Sequence, residues 1–83
     1  MKRKDVLEVV IDSIRIETDF SGLIDEKSNA QNVDGWDSLA HVRIMFGVDI
    51  ALGTTIDISQ TYGIADVGEL VNLFVDAIAE ISN

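Results

Sequence analysis

Gly35-Trp36-Asp37-Ser38-Leu39 marks the point where a long polar connection gives way to the most apolar helix-like run of the chain. Asp37 is a good helix N-cap, because a carboxylate there accepts from first-turn N–H groups that have no partner inside the helix. Ser38 is then the first helical residue. Its hydroxyl stands at the positive end of the helix dipole, beside free backbone N–H donors, where a phosphate ester would be stabilised. The junction is a physically sensible place for a covalently attached phosphate.

On the C-terminal side, the stretch Ser38 to Leu52 is apolar on two sides when wound at about 3.6 residues per turn. One side carries Leu39, Val42, Phe46 and Ile50. The other carries Ile44, Met45, Val48 and Leu52, with His41 among them. A surface helix needs a single apolar stripe, so a second one is either buried as well or turned towards a partner. In a chain of 83 residues, with room for one small core, complete burial is hard to achieve. Phe46 as an ordinary core residue is the competing reading.

On the N-terminal side, Glu17 to Asp37 is rich in Asp, Ser, Asn and Gln and has no sustained period. Connections of that length are functional or tied down by apolar anchors, for which Phe20, Leu23 and Ile24 are the candidates. Asp25-Glu26 and the acids from Asp34 to Asp37 lack the alternating ligands, central Gly and distal Glu of a calcium loop, which leaves weak divalent-ion binding by clustered carboxylates, as in a small acidic metal-binding protein, as the remaining metal reading. Upstream, Asp5 to Ile16 places Val6, Leu7, Val10, Ile11 and Ile14 on one face and Glu8, Asp12 and Arg15 opposite, which predicts an amphipathic helix. Lys2, Arg3 and Lys4 oppose the dipole at its start, and their expected use is in charge contacts elsewhere.

Beyond the apolar helix, Gly53 is a C-cap, and Thr54 to Ile58 reads as a loop with two buried anchors. A short helical turn over Ser59 to Tyr62 stops at Gly63. Asp66, with Glu69 three residues on, opens a last helix as an acidic capping box. Leu70, Leu73, Phe74, Ala77, Ile78 and Ile81 are its expected buried stripe.

Composition bounds what such a chain does. It is one domain, residues 1–83, with no cysteine and no proline. Without cysteine there is neither a disulfide framework nor a thiolate metal site, and a cytoplasmic setting is the default expectation. Asp5, Glu8 and Asp12 interrupt what would have to be a signal peptide's apolar stretch. A net charge of −9 repels nucleic acid and anionic lipid and steers the chain towards basic surfaces, or serves solubility alone. Catalysis needs a constellation that is missing: one histidine, no cysteine, no glycine-rich phosphate loop. A Ser38-His41-Asp37 set fails on direction, since nothing orients the base, and His41 reads as a packing residue.

Asp37-Ser38-Leu39, with Gly35-Trp36 before it and Ala40-His41-Val42 after it, resembles the attachment motif of acyl carrier proteins, and the resemblance runs from about Val6 to Ile81. It implies an all-α fold: a small four-helix bundle with three main helices, one short helix and a long loop after the first. It further implies a non-catalytic monomer whose Ser38 carries 4′-phosphopantetheine, attached from coenzyme A by a phosphopantetheinyl transferase with magnesium. Acyl groups would ride on the arm's thiol as thioesters. Gly35 and Trp36 would shape the approach to Ser38, and Asp37 would cap the helix and help place the transferase's metal. Leu39, Val42 and Phe46 match positions that contact enzymes, with Arg43, Asp49 and Ile50 on the same partner face. Ile44, Val48 and Leu52 match core positions, and Val67 matches one that packs near the arm. A small cleft between the second and last helices is expected to shelter an acyl tail.

Arg43 and Ile50 stand where carriers of primary fatty acid synthesis are commonly acidic. The resemblance therefore points to a dedicated carrier for a specialised lipid or polyketide-type pathway, served by acyltransferases, ketosynthases or acyl-activating ligases. An aminoacyl or peptidyl carrier, and a carrier-like interaction module without the arm, are the alternatives.

Overall fold

The computed structural model describes residues 1–82. Helix α1 spans Arg3–Thr18, α2 Ser38–Leu52 and α3 Val67–Ser82, and a single 3-10 turn, Ile58–Thr61, lies between the last two. Among the described residues there is no strand. The radius of gyration is 11.7 Å, close to the roughly 12 Å of a compact chain of this length.

α1 is the helix the others share, packing against both α2 and α3. Val6, Val10 and Ile14 of its inner face are fully buried, against Ile44, Met45 and Val48 of α2 and Val67, Leu70, Val71 and Phe74 of α3. The helix starts at Arg3, because the Lys2 N–H donates to the Asp5 carboxylate at 3.1 Å and makes Asp5 a first-turn acid. It runs on to Thr18, and Asp19 ends it in the left-handed conformation (φ 57°) with its N–H on the Arg15 carbonyl.

Residues 19–37 are fastened by hydrogen bonds as well as by apolar anchors. The Arg15 guanidinium donates to the carbonyls of Phe20 (3.0 Å) and Gly22 (2.9 Å), pinning the start of the loop to α1. Ile24 and Val33 are its buried anchors and Phe20 is half-buried, whereas Leu23, expected as an anchor, is 80% exposed. With its neighbours' carbonyl tied down by Arg15, the loop holds its course there without Leu23. Farther along, the carbonyls of Glu26 and Ser28 accept from the N–H groups of Gly68 and Val67, each at 2.8 Å. These are first-turn donors of α3, so the loop caps that helix.

Arg3 reinforces the same seam. Its guanidinium donates to Asn72 Oδ1 (2.9 Å) and to the Gly68 carbonyl (3.1 Å), and pairs with Glu26 at 2.6 Å. One of the three N-terminal cations is thus used across the fold. At the start of α3 the Asp66 carboxylate accepts from the Glu69 N–H (3.0 Å), while the Glu69 carboxylate reaches back to the Ala65 N–H (2.7 Å), one residue before the expected one. Leu70 and Phe74 are fully buried and Leu73, Ala77 and Ile78 half-buried. Ile81, expected in this stripe, is 62% exposed, because the stripe runs on past the core. The short turn begins at Ile58 rather than Ser59, capped by Asp57, whose carboxylate accepts from the Ser59 N–H and hydroxyl.

Candidate functional site

The junction before α2 is built from both directions. Gly35 has φ +90°, and a Cβ there would lie 2.9 Å from the Thr18 carbonyl, so a residue without a side chain is needed where the loop returns past the end of α1. Asp37 is extended, and its Oδ1 accepts from the Ala40 N–H at 2.8 Å. The helical ladder opens with the His41 N–H on the Asp37 carbonyl at 2.9 Å, which leaves the N–H groups of Ser38 and Leu39 ahead of its first rung. Ser38 itself is exposed. An accessible hydroxyl at a capped helix start is the result.

The two sides of α2 part company. Ala40, His41, Ile44, Met45 and Val48 are buried, while Leu39, Val42, Phe46 and Ile50 are 60, 44, 66 and 68% exposed. Those four form one strip along the helix that begins next to Ser38. Phe46 is therefore not a core residue. Arg43 is exposed beside the strip. Asp49 is half-buried, and its carboxylate accepts from the Thr54 hydroxyl (2.6 Å) and the Ile56 N–H (3.3 Å), so its charge secures the end of α2.

Gly47 lies at the seam between the two sides. A Cβ there would come within 2.9 Å of Ser13 Oγ, whose hydroxyl donates to the Ile44 carbonyl at 2.9 Å. This close approach of α1 to α2 was signalled only by a glycine inside a helix, which costs about 1 kcal/mol relative to alanine.

Open space occurs where the start of α2, with His41, faces the segment leading into α3, with Ile64 and Asp66; other hollows lie between α1 and α2 beside Gly47 and along α3 beside Leu73. A cleft of about 170 Å³ is bounded by Ala30 of the loop, Trp36, His41, Thr61, Tyr62 and Ile64. Its wall is a directed chain of hydrogen bonds. Trp36 Nε1–H donates to His41 Nδ1 at 3.0 Å, His41 Nε2 lies 2.6 Å from Thr61 Oγ1, and the Thr61 hydroxyl donates to the Ile58 carbonyl at 2.7 Å. The indole and imidazole planes are nearly parallel (16°), and the Tyr62 ring centre is 4.9 Å from that of His41. Burial pushes the His41 imidazole's affinity for a proton below its ordinary value. Thr61 carried no sequence signal, since its partner is distant along the chain.

The arrangement presents a hydroxyl, a strip of apolar side chains and a lined cleft. Its lone imidazole is held by Trp36 and Thr61, away from any hydrogen bond to Ser38. Among the described residues no helix is long and apolar enough to cross a membrane. Compared with protein-family models, with curated proteins and with solved structures, the chain matches none.

Proposed function

We propose that this chain is an acyl carrier protein, holding acyl intermediates as thioesters on a 4′-phosphopantetheine arm attached to Ser38, in a specialised lipid or polyketide-type pathway. The observation that carries the reading is the exposed Ser38 hydroxyl at the capped start of α2, followed on the same helix by the exposed Leu39, Val42, Phe46 and Ile50. The order of helices, with a long loop after α1 and a short turn before α3, agrees with a carrier-type bundle.

The chain's own residues suit the group. Ser38 offers an unobstructed nucleophilic oxygen, and the N–H groups of Ser38 and Leu39 with the helix dipole favour a phosphodiester there. Gly35 and Trp36 fix the path of the chain to that oxygen, and Asp37 holds the helix start in place. The arm supplies a terminal thiol, which a chain without cysteine lacks. In forming the ester, Ser38 Oγ bonds to phosphorus and loses its proton, and the adenosine bisphosphate part of coenzyme A leaves. Tethering then raises the effective concentration of cargo at each partner enzyme. The partners are a phosphopantetheinyl transferase and the acyltransferases, ketosynthases or acyl-activating ligases that load and unload the arm. Leu39, Val42, Phe46 and Ile50 with Arg43 form the face they meet.

Intact mass after incubation with a broad-specificity phosphopantetheinyl transferase, coenzyme A and magnesium tests the proposal. One phosphopantetheinyl group is gained by the wild-type chain and none by Ser38→Ala. A folded wild-type chain that gains nothing points to an interaction module working through the apolar strip of α2.

A further inference from the structure

The hydrogen bonds on the cleft wall run in one direction, and that direction has a consequence for protonation. An indole N–H donates and cannot accept, so the nitrogen it faces, His41 Nδ1, must be bare. By elimination the single proton of the neutral ring sits on Nε2 and is donated to Thr61 Oγ1, whose own hydrogen is committed to the Ile58 carbonyl. The tautomer is fixed from both ends. A second proton on Nδ1 would set two donors against each other across 3.0 Å, and only the contact with Trp36 would be lost.

Nothing around the ring welcomes that second proton. His41 lies in the first turn of α2, at the positive end of the dipole. Along the chain the nearest acid is the N-cap Asp37, whose carboxylate accepts from the Ala40 N–H, and the nearest cation is Arg43, which is exposed. From the turn after α2 the ring meets the phenol of Tyr62. From the start of α3, Asp66 lines the same cleft, but its carboxylate accepts from the Glu69 N–H. Asn29 and Ala30 of the loop bring no charge. Among the described residues no carboxylate hydrogen-bonds to the imidazole to compensate the cation.

We propose that His41 is a one-proton latch: neutral, it ties Trp36 and the segment leading to Ser38 to the Ile58–Thr61 turn, and protonated, it releases Trp36 and opens the cleft that the two rings line. The device uses one proton taken from solvent and returned to it. It rests on the hydrogen-bond geometry alone and stands whether or not Ser38 carries an arm.

The sign of its effect follows from burial. The native ring takes its second proton at lower pH than the unfolded chain does, so the unfolded state binds more protons as pH falls below about 6.5. Stability is full above that pH, declines below it, and levels off once the native ring is also protonated.

The chain contains one tryptophan and one histidine, which makes both partners observable without labels at other sites. The test follows the Trp36 indole N–H resonance and the His41 ring resonances by NMR from pH 8 to pH 4.5, with helicity checked by circular dichroism. The expected result is that both move in one step with a common midpoint below about 6.5, at unchanged helicity. In His41→Gln, which keeps an acceptor for Trp36 and a donor for Thr61, the Trp36 step is absent. An imidazole that titrates without moving the indole N–H overturns the latch, as does a Trp36 step that survives in His41→Gln. If His41→Gln does not fold, Trp36→Phe decides. With the opposing donor gone, the His41 midpoint rises, and a midpoint that stays where it was overturns the proposal.

Discussion

The two sides of α2 are matched in sequence and opposite in circumstance. Ile44, Met45 and Val48 are sealed against α1 and the rest of the core, whereas Leu39, Val42, Phe46 and Ile50, no less apolar, lie open on the same cylinder. Burial here is decided by what stands opposite a residue, and α1 stands opposite only one side. The lesson is that periodicity reports a face, while a neighbour makes it a core. A small domain that exposes a contiguous apolar strip forgoes the stability its burial would bring, and such strips mark interaction surfaces.

Four substitutions test that contrast. Ile44→Ala opens a cavity in a fully buried position, and urea denaturation should show a loss of about 2–5 kcal/mol. Gly47→Ala, at the seam, gains helix propensity but drives Ser13 Oγ from its place on the Ile44 carbonyl; a net loss of about 1 kcal/mol is expected. Adding Ser13→Ala removes the obstructing oxygen and should recover most of it, so the two changes are non-additive in a double-mutant cycle. Phe46→Ala, on the open side, should change stability by no more than about 0.5 kcal/mol in the same denaturation series. A loss at Phe46 comparable to that at Ile44 would erase the distinction between the sides.

Much of this was legible from the chain. The Asp37 cap follows from residue type and position, and the double stripe of α2 from counting at the helical period. That one side of α2 stays open follows from size, since one small core cannot wrap a helix completely; that the open side is Phe46's and the closed one Ile44's was implied only by the resemblance to acyl carrier proteins. What escaped reading has a common physical character. Arg15 on the Phe20 and Gly22 carbonyls, Ser28 and Glu26 on the start of α3, and Thr61 on His41 are single polar contacts, most between distant parts of the chain, and they leave no periodic trace. Leu23 differs for that reason: apolarity is the fastening visible in sequence, and beside Ile24 and Val33 the loop is held by the Arg15 hydrogen bonds without it. Ile81 was misassigned because a stripe continues for as long as its helix does, whether or not there is still a core beneath it. Asp49 belongs with these, an acid on an outer helix whose charge turned inward to Thr54.

The capping of α3 by the loop carbonyls of Glu26 and Ser28 bears on which parts of the chain open together. The N–H groups of Val67 and Gly68 find their acceptors only with the loop laid against the start of α3, a helix that itself packs on α1. Loop and helix start share these bonds, so they are expected to open together, with similar exchange rates for the Val67 and Gly68 amides as the check. The Ser38 junction lies at the end of that loop. Its steadiness is therefore on loan from the far end of the chain.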